Sequence, residues 1–270
     1  MDGVTRQVEA GPHRIDTTVF GTGTPAVVIE PGFGGTAAAW RAVAEAVAGD
    51  TTVVTYDRSP YGASSPARDA RTPQDIARDL NGVLDALGID DPVILVGHSI
   101  GGLHVRAFAE RYDHRVAGLV LVDSSHDAQE QILKELPWWV RMAQRLMIPM
   151  MMVATRKARG GADRRSVIRE ERSFNRVMAS GKPVLTHGLG GRPVAVITAG
   201  PGKIIKGPAW QTWHTLQAEL AALSTNRRHI VASHPDHYVH KKDPDLVIGT
   251  IRDVVRSART HTPLTLESAR

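Results

Sequence analysis

Residues 97–101 read Gly97-His98-Ser99-Ile100-Gly101, directly after the apolar run Pro92-Val93-Ile94-Leu95-Val96 and before a helical-looking stretch over residues 103–112. A serine with a glycine two residues away on either side, at a strand-to-helix junction, reads as a turn that lifts a hydroxyl off the tip of a strand. Residues two away crowd such a turn, and glycine fits there because it has no Cβ. As a bare string the pattern also suits an ordinary N-cap serine. The strand before it and the helix after it favour a nucleophile elbow.

Strand-like and helix-like segments alternate on both sides of this turn. Residues 14–20, 26–29, 51–56, 92–96, 118–122, 193–198 and 228–232 read as strands, most of them near-continuous apolar runs. Between them, residues 36–47, 73–87, 103–112, 210–223 and 244–258 carry apolar residues at helical spacing. Thr72 followed by Pro73 marks a helix start, and Gly88 marks its end. This alternation predicts an α/β fold, a mostly parallel central sheet with helices on both faces. The rhythm breaks between residues 124 and 192, where no clear strand occurs, and resumes at Pro193. The expected organisation is therefore a core made of residues 1–123 and 193–270, interrupted by a helical insert over 124–192. That insert holds Trp138, Trp139 and four of the seven methionines, Met147, Met150, Met151 and Met152.

Composition narrows the function classes. A chain of 270 residues with 42% hydrophobic and 23% charged content can bury a large core without cross-links. The absence of cysteine rules out disulfides, thiolate nucleophiles and cysteine-based zinc sites. No apolar run reaches the ~20 residues needed to span a bilayer, and the first residues lack a basic region followed by an apolar core. The expectation is a cytoplasmic protein without a transmembrane segment. The net charge of +5 owes much to residues 156–176, where Arg and Lys interleave with Asp163, Glu170 and Glu171. This stretch reads as a solvated helix face, with attraction of anionic substrates or lipid surfaces as the functional alternative. No motif supports nucleic-acid binding.

A serine hydroxyl needs a base within hydrogen-bond reach, and the base needs a third group to orient it. Three histidines cluster past the last strand, in Ser233-His234-Pro235-Asp236-His237-Tyr238-Val239-His240. A loop at a strand's C-terminal end shares a rim of the sheet with Ser99. For the acid, the loop after residues 194–198 reads Ala199-Gly200-Pro201-Gly202-Lys203-Ile204-Ile205-Lys206 and holds no carboxylate. Asp123, at the end of the strand after the serine's helix, is the best remaining candidate; Asp127 and Asp236 are weaker ones, and a turn-forming aspartate is the bland alternative. Negative charge on a carbonyl oxygen would require two amide donors. The N–H of Ile100 is one, and the loop Glu30-Pro31-Gly32-Phe33-Gly34-Gly35 should supply the other, with Phe33 the expected donor. That loop lacks the lysine of a phosphate-binding P-loop and the spacing of a dinucleotide site.

Taken in order, the glycine loop at 31–35, Tyr56-Asp57-Arg58-Ser59-Pro60-Tyr61-Gly62-Ala63-Ser64, the serine elbow, and His237-Tyr238-Val239-His240 before Pro244 resemble the α/β-hydrolase superfamily, in its serine hydrolase or esterase branch. The resemblance covers residues 14–123 and 193–258. It implies Ser99 as nucleophile, His237 as base, and Phe33 and Ile100 as oxyanion-hole positions. His234 and His240 then support the loop, and Asp57 and Arg58 fall in a motif that is structural in most members. Two departures stand out: Glu30-Pro31 replaces the usual histidine before the glycine, and the acid is absent from its usual strand. Some members place the acid one strand earlier, which resembles Asp123 here. The insert sits where the family carries a cap, whose Trp and Met residues would line an acyl pocket, dock the cap, or touch lipid.

These readings lead to one expectation: hydrolysis of a fairly apolar small-molecule ester through an acyl-enzyme on Ser99, with no metal or organic cofactor. The same parts would serve a thioesterase, a lactonase or a cofactor-free perhydrolase. A non-catalytic ligand-binding or interaction member of the fold is the alternative from another class. Oligomeric state leaves no trace in the sequence.

Overall fold

Eight strands form one sheet in the order β1-β2-β4-β3-β5-β6-β7-β8. They are β1 (Val4–Ala10), β2 (His13–Phe20), β3 (Val27–Glu30), β4 (Val53–Asp57), β5 (Val93–His98), β6 (Val116–Val122), β7 (Val194–Thr198) and β8 (Arg227–Val231). From β4 to β8 every pairing is parallel; β2 runs antiparallel to both β1 and β4. The structure, a computed structural model, describes residues 2–67, 71–136, 164–202 and 205–264. The helices are α1 (Arg41–Val47), α2 (Pro73–Leu87), α3 (Gly101–Arg111), α4 (Glu130–Glu135), α5 (Arg164–Ser180), α6 (Gly207–Ala221), α7 (Val239–Lys242) and α8 (Pro244–Thr260).

Strand β5 shows why the sheet needs two covers. Its side chains alternate by the two-residue period of a strand. Val93 and Leu95 join one core with Leu80, Val83 and Leu84 of α2 and Leu103 and Phe108 of α3. Ile94 and Val96 join the other, with Val43 and Val47 of α1 and Val247, Ile251 and Val254 of α8. Removing such a side chain from water is worth about 1.5–3 kcal/mol, so a strand apolar on both faces is stable only between two helical layers.

Local signals set the helix ends. The Thr72 side chain accepts from the Asp75 amide at 3.1 Å, and the Thr72 amide donates to Asp75 Oδ2 at 3.0 Å. This reciprocal cap starts α2, and Gly88 closes it at φ +68°. A cap of this kind is worth about 1 kcal/mol.

Two expectations need correcting. Strand β1 escaped the sequence reading because it is an edge strand: only Val8 and Ala10 are buried, and the rest face solvent. The charged stretch at 156–176 is not a wholly solvated face in its described part. Along α5, Val167, Glu170, Ser173 and Met178 are buried while Arg172 and Arg176 are exposed. A buried carboxylate on that stripe hides the helical period when charge alone is counted.

Within the expected insert, residues 124–136 and 164–192 are described and carry only α4 and α5 as regular elements. Ile132 and Leu136 of the first piece pack on Ala209 and Leu216 of α6. Trp138, Trp139 and the four insert methionines lie outside the described residues. Among the described residues, no helix is long and apolar enough to cross a membrane.

Candidate active site

The chain turns at Ser99, between β5 and α3, with φ +55°. A non-glycine residue in this left-handed region costs about 1–3 kcal/mol, and surrounding structure must hold it there. The Ser99 amide donates to the Val122 carbonyl at 3.2 Å, and its carbonyl accepts from the Ser125 amide at 2.9 Å. Both tie the elbow to the end of β6. The flanking glycines are steric necessities. A Cβ on Gly97 would lie 2.8 Å from the Gly101 carbonyl oxygen, and one on Gly101 would lie 2.4 Å from that of Glu30.

Strand β6 ends beside the elbow, and Asp123 follows it at φ +40°. Its amide is anchored on the Ile197 carbonyl at 2.7 Å. Its buried carboxylate accepts three hydrogen bonds: Oδ1 from the Ala199 amide and from Trp213 Nε1, each at 3.0 Å, and Oδ2 from His237 Nδ1 at 2.6 Å. A carboxylate only accepts, so Nδ1 of His237 carries the proton and Nε2 is left with its lone pair. The His237 side chain is 46% exposed, against 7% for Asp123. The imidazole therefore faces the open side of the rim while the carboxylate faces inward. Ser99 Oγ makes no hydrogen bond among the described residues, so elbow and imidazole share the rim without a closed link.

The other candidates are elsewhere. Asp127 pairs with Arg106 and accepts from the Val184 amide at 3.0 Å, holding the segment at Val184 rather than a histidine. Asp236 accepts from the Tyr238 amide at 2.9 Å and shapes a turn. His234 Nδ1 accepts from the Asp236 amide at 3.3 Å. His240 stacks on Trp40, with ring centroids 4.1 Å apart and planes 8° apart. Burial, then the Lys241 and His237 charges, push its pKa down to about 3.

His98 binds these parts together. Its ring lies 4.7 Å from that of His237, and its Nε2 is 3.0 Å from the His237 carbonyl oxygen, where it donates. Burial, then the nearby His237 and His240, push its pKa well below the usual imidazole range, so it is a neutral strut. On its other side a Cβ on Gly32 would come within 2.9 Å of His98 Nδ1 and 3.1 Å of Ser99 Cβ. The glycine loop therefore passes directly over Ser99. Ile100, at the start of α3, holds its amide among the first-turn donors that have no partner within a helix.

Glu30, which with Pro31 stands where the histidine was expected, is wholly buried at the start of that loop. Its carboxylate accepts from Arg58 Nη1 at 2.6 Å, from His104 Nδ1 at 2.8 Å, and from the Tyr56 hydroxyl. Burial raises its pKa; the Arg58 charge and the His104 and Tyr56 bonds outweigh that and leave it below the usual value.

Sequence reasoning missed Trp213, His98 and Glu170. The indole of Trp213 sits on a helix that was read correctly, but nothing local marks a donor aimed at a carboxylate 90 positions away. His98 lies inside the elbow string, where its role depends on a loop from the far end of the chain.

A family described as alpha/beta hydrolase fold matches residues 25–145. Over 230 residues, covering 84% of this chain and 82% of its own length, the uncharacterised protein YqjL of Bacillus subtilis is 25% identical. The putative carbamate hydrolase RutD of Azorhizobium caulinodans is 36% identical over 105 residues, only 39% of this chain and 39% of that protein. Among solved structures, a thermophilic esterase from Thermogutta terrifontis superimposes with a TM-score of 0.69 at 21% identity, over 96% of this chain and 99% of that one. Strand order, the elbow between β5 and α3, and the structural likeness together show that this chain has the alpha/beta hydrolase fold.

Proposed function

We propose that this protein is a serine hydrolase that cleaves carboxylic esters of a fairly apolar substrate through an acyl-enzyme on Ser99. One observation carries the reading: the 2.6 Å bond from His237 Nδ1 to Asp123 Oδ2, on the rim that holds the Ser99 elbow. His237 Nε2 takes the Ser99 proton, and Oγ attacks the acyl carbon. The carbonyl oxygen becomes an oxyanion facing the amides of Ile100 and Phe33. His237 returns the proton to the departing alcohol, leaving an ester on Ser99. It then takes a proton from water, which attacks that ester, and gives this proton to Ser99 Oγ as the acid departs, which restores the free serine. Asp123 stays ionised throughout and steadies the imidazolium each time it forms. The hydrolase names of the carbamate hydrolase relative and the esterase neighbour support this class of chemistry. The apolar preference rests on the composition of residues 124–192, which hold Trp138, Trp139, Met147, Met150, Met151 and Met152.

A series of p-nitrophenyl esters of increasing chain length tests the reaction and the acyl preference together, with Ser99→Ala as blank. A fluorophosphonate probe should label the wild type and not Ser99→Ala. A folded protein that neither labels nor exceeds Ser99→Ala in turnover overturns the proposal in favour of a binding protein.

A further inference from the structure

We propose that Arg58 is a positioning residue: it sets the direction of the Phe33 amide, and it makes that direction depend on the docking of α5. The inference rests on the oxyanion role given to Phe33 above. Arg58 is 1% exposed and donates hydrogen bonds to four groups. Nη1 donates to Glu30 Oε1 at 2.6 Å and to the Pro31 carbonyl at 3.0 Å. Nη2 donates to the Gly32 carbonyl at 3.2 Å and to Glu170 Oε1 at 2.7 Å. The Gly32 carbonyl and the Phe33 amide belong to one planar peptide unit and point in opposite directions. Fixing that oxygen on Arg58 therefore aims the Phe33 N–H away from the guanidinium. Gly32 is also where the loop comes closest to the nucleophile, a Cβ there lying 3.1 Å from Ser99 Cβ.

The second part follows from charge. Glu30 alone would balance the buried guanidinium. Glu170 adds a second fully buried carboxylate to the same cation, from 112 residues away. Burying an extra ion costs free energy unless it is compensated, and Glu170 Oε2 has no hydrogen-bond partner among the described residues. What the arrangement achieves is a link: α5 of the insert and the loop over Ser99 are held by one planar group. A shift of α5 pulls on the atom that orients the oxyanion donor.

Glu170→Ala is the decisive variant, because it leaves Arg58 its Glu30 partner and so preserves a balanced core. Arg58→Lys and the double variant accompany it. Circular dichroism and thermal melting check folding. Hydrogen exchange over residues 31–36 reads the loop, and fluorophosphonate labelling of Ser99 together with kcat and KM for p-nitrophenyl acetate reads the donor. We expect faster exchange over 31–36 in Glu170→Ala, with labelling and kcat lowered about 10–100-fold and KM nearly unchanged, as for a donor displaced by a fraction of an ångström. The double variant should be no slower than Arg58→Lys alone. Wild-type exchange or wild-type labelling in folded Glu170→Ala, or additive losses in the double variant, overturns the proposal. Should the wild type itself fail to label at Ser99, the hydrolase reading falls, and the exchange over 31–36 alone decides for or against the link.

Discussion

Asp123→Asn is the sharpest test of the site. The side chain is buried and nearly isosteric with asparagine, so the fold should survive. Oδ1 receives two N–H donors, from Ala199 and Trp213, and this pins the amide oxygen of asparagine at that end. The NH2 group then faces His237 Nδ1, where Oδ2 stood at 2.6 Å. Two donors cannot share a bond, so His237 moves its proton to Nε2 and loses the lone pair that should accept from Ser99. The lost charge adds to this. A carboxylate about 4 Å from the imidazolium charge is worth about 4 kcal/mol at an effective dielectric of 20, or about three decades in rate. With the wrong tautomer included, kcat for p-nitrophenyl acetate at neutral pH should fall about 10³–10⁴-fold. The melting temperature should stay within a few degrees of wild type. A folded Asp123→Asn enzyme within tenfold of wild-type kcat would refute both the tautomer argument and the assignment of the acid.

Trp213→Phe removes one of the two donors on Asp123 Oδ1 while keeping the aromatic body packed beside Leu216. A bond to a charged acceptor is worth about 1.5–3 kcal/mol, which predicts a drop in kcat of about tenfold or more at constant KM; a wild-type kcat would show that the indole only packs. Stability should fall as the solution is acidified. Burial holds His126 and His229 at about 4 and His240 at about 3, all below the usual 6.5. Above 6.5 neither state is protonated there; between 6.5 and about 4 the unfolded chain takes up protons that the folded one refuses, so stability drops as pH falls through that window. Melting curves at pH 7.5 and pH 5 should differ by several degrees, and equal melting points would contradict the buried, neutral state of these rings.

The fold was legible because its strands are apolar on both faces, which a parallel sheet between two helical layers requires and few other arrangements tolerate. The edge strand β1 was not legible, since Thr5, Arg6, Gln7 and Glu9 carry no apolar alternation. The elbow was readable because its constraint is local: Gly97 and Gly101 mark the two positions where a Cβ collides. The partner of His237 was readable only by elimination among carboxylates. What holds that pair, Trp213 and the Ala199 amide, depends on contacts between distant segments that no local pattern records. Glu30 was noted as a departure and Arg58 as part of a structural motif, but their pairing beneath the glycine loop needs three dimensions.

The position of Asp123 has a steric logic. The histidine comes from the loop after β8 and must cross the end of β7 to meet a carboxylate on β6. The crossing is close: the Ala232 amide bonds the Thr198 carbonyl at 2.8 Å, and the Gly200 amide bonds that of His234 at 2.8 Å. A Cβ at Gly200 would lie 2.7 Å from the Ala232 carbonyl oxygen. The end of β7 is thus filled by backbone from the histidine loop, which leaves no room at Gly200 for a longer side chain. Alanine and glycine stand there, and the strand contributes an amide, that of Ala199, to an acid held by its neighbour. The missing carboxylate after β7 and the aspartate after β6 are therefore two aspects of one packing solution: the small residues clear the path along which the His237 loop approaches Asp123.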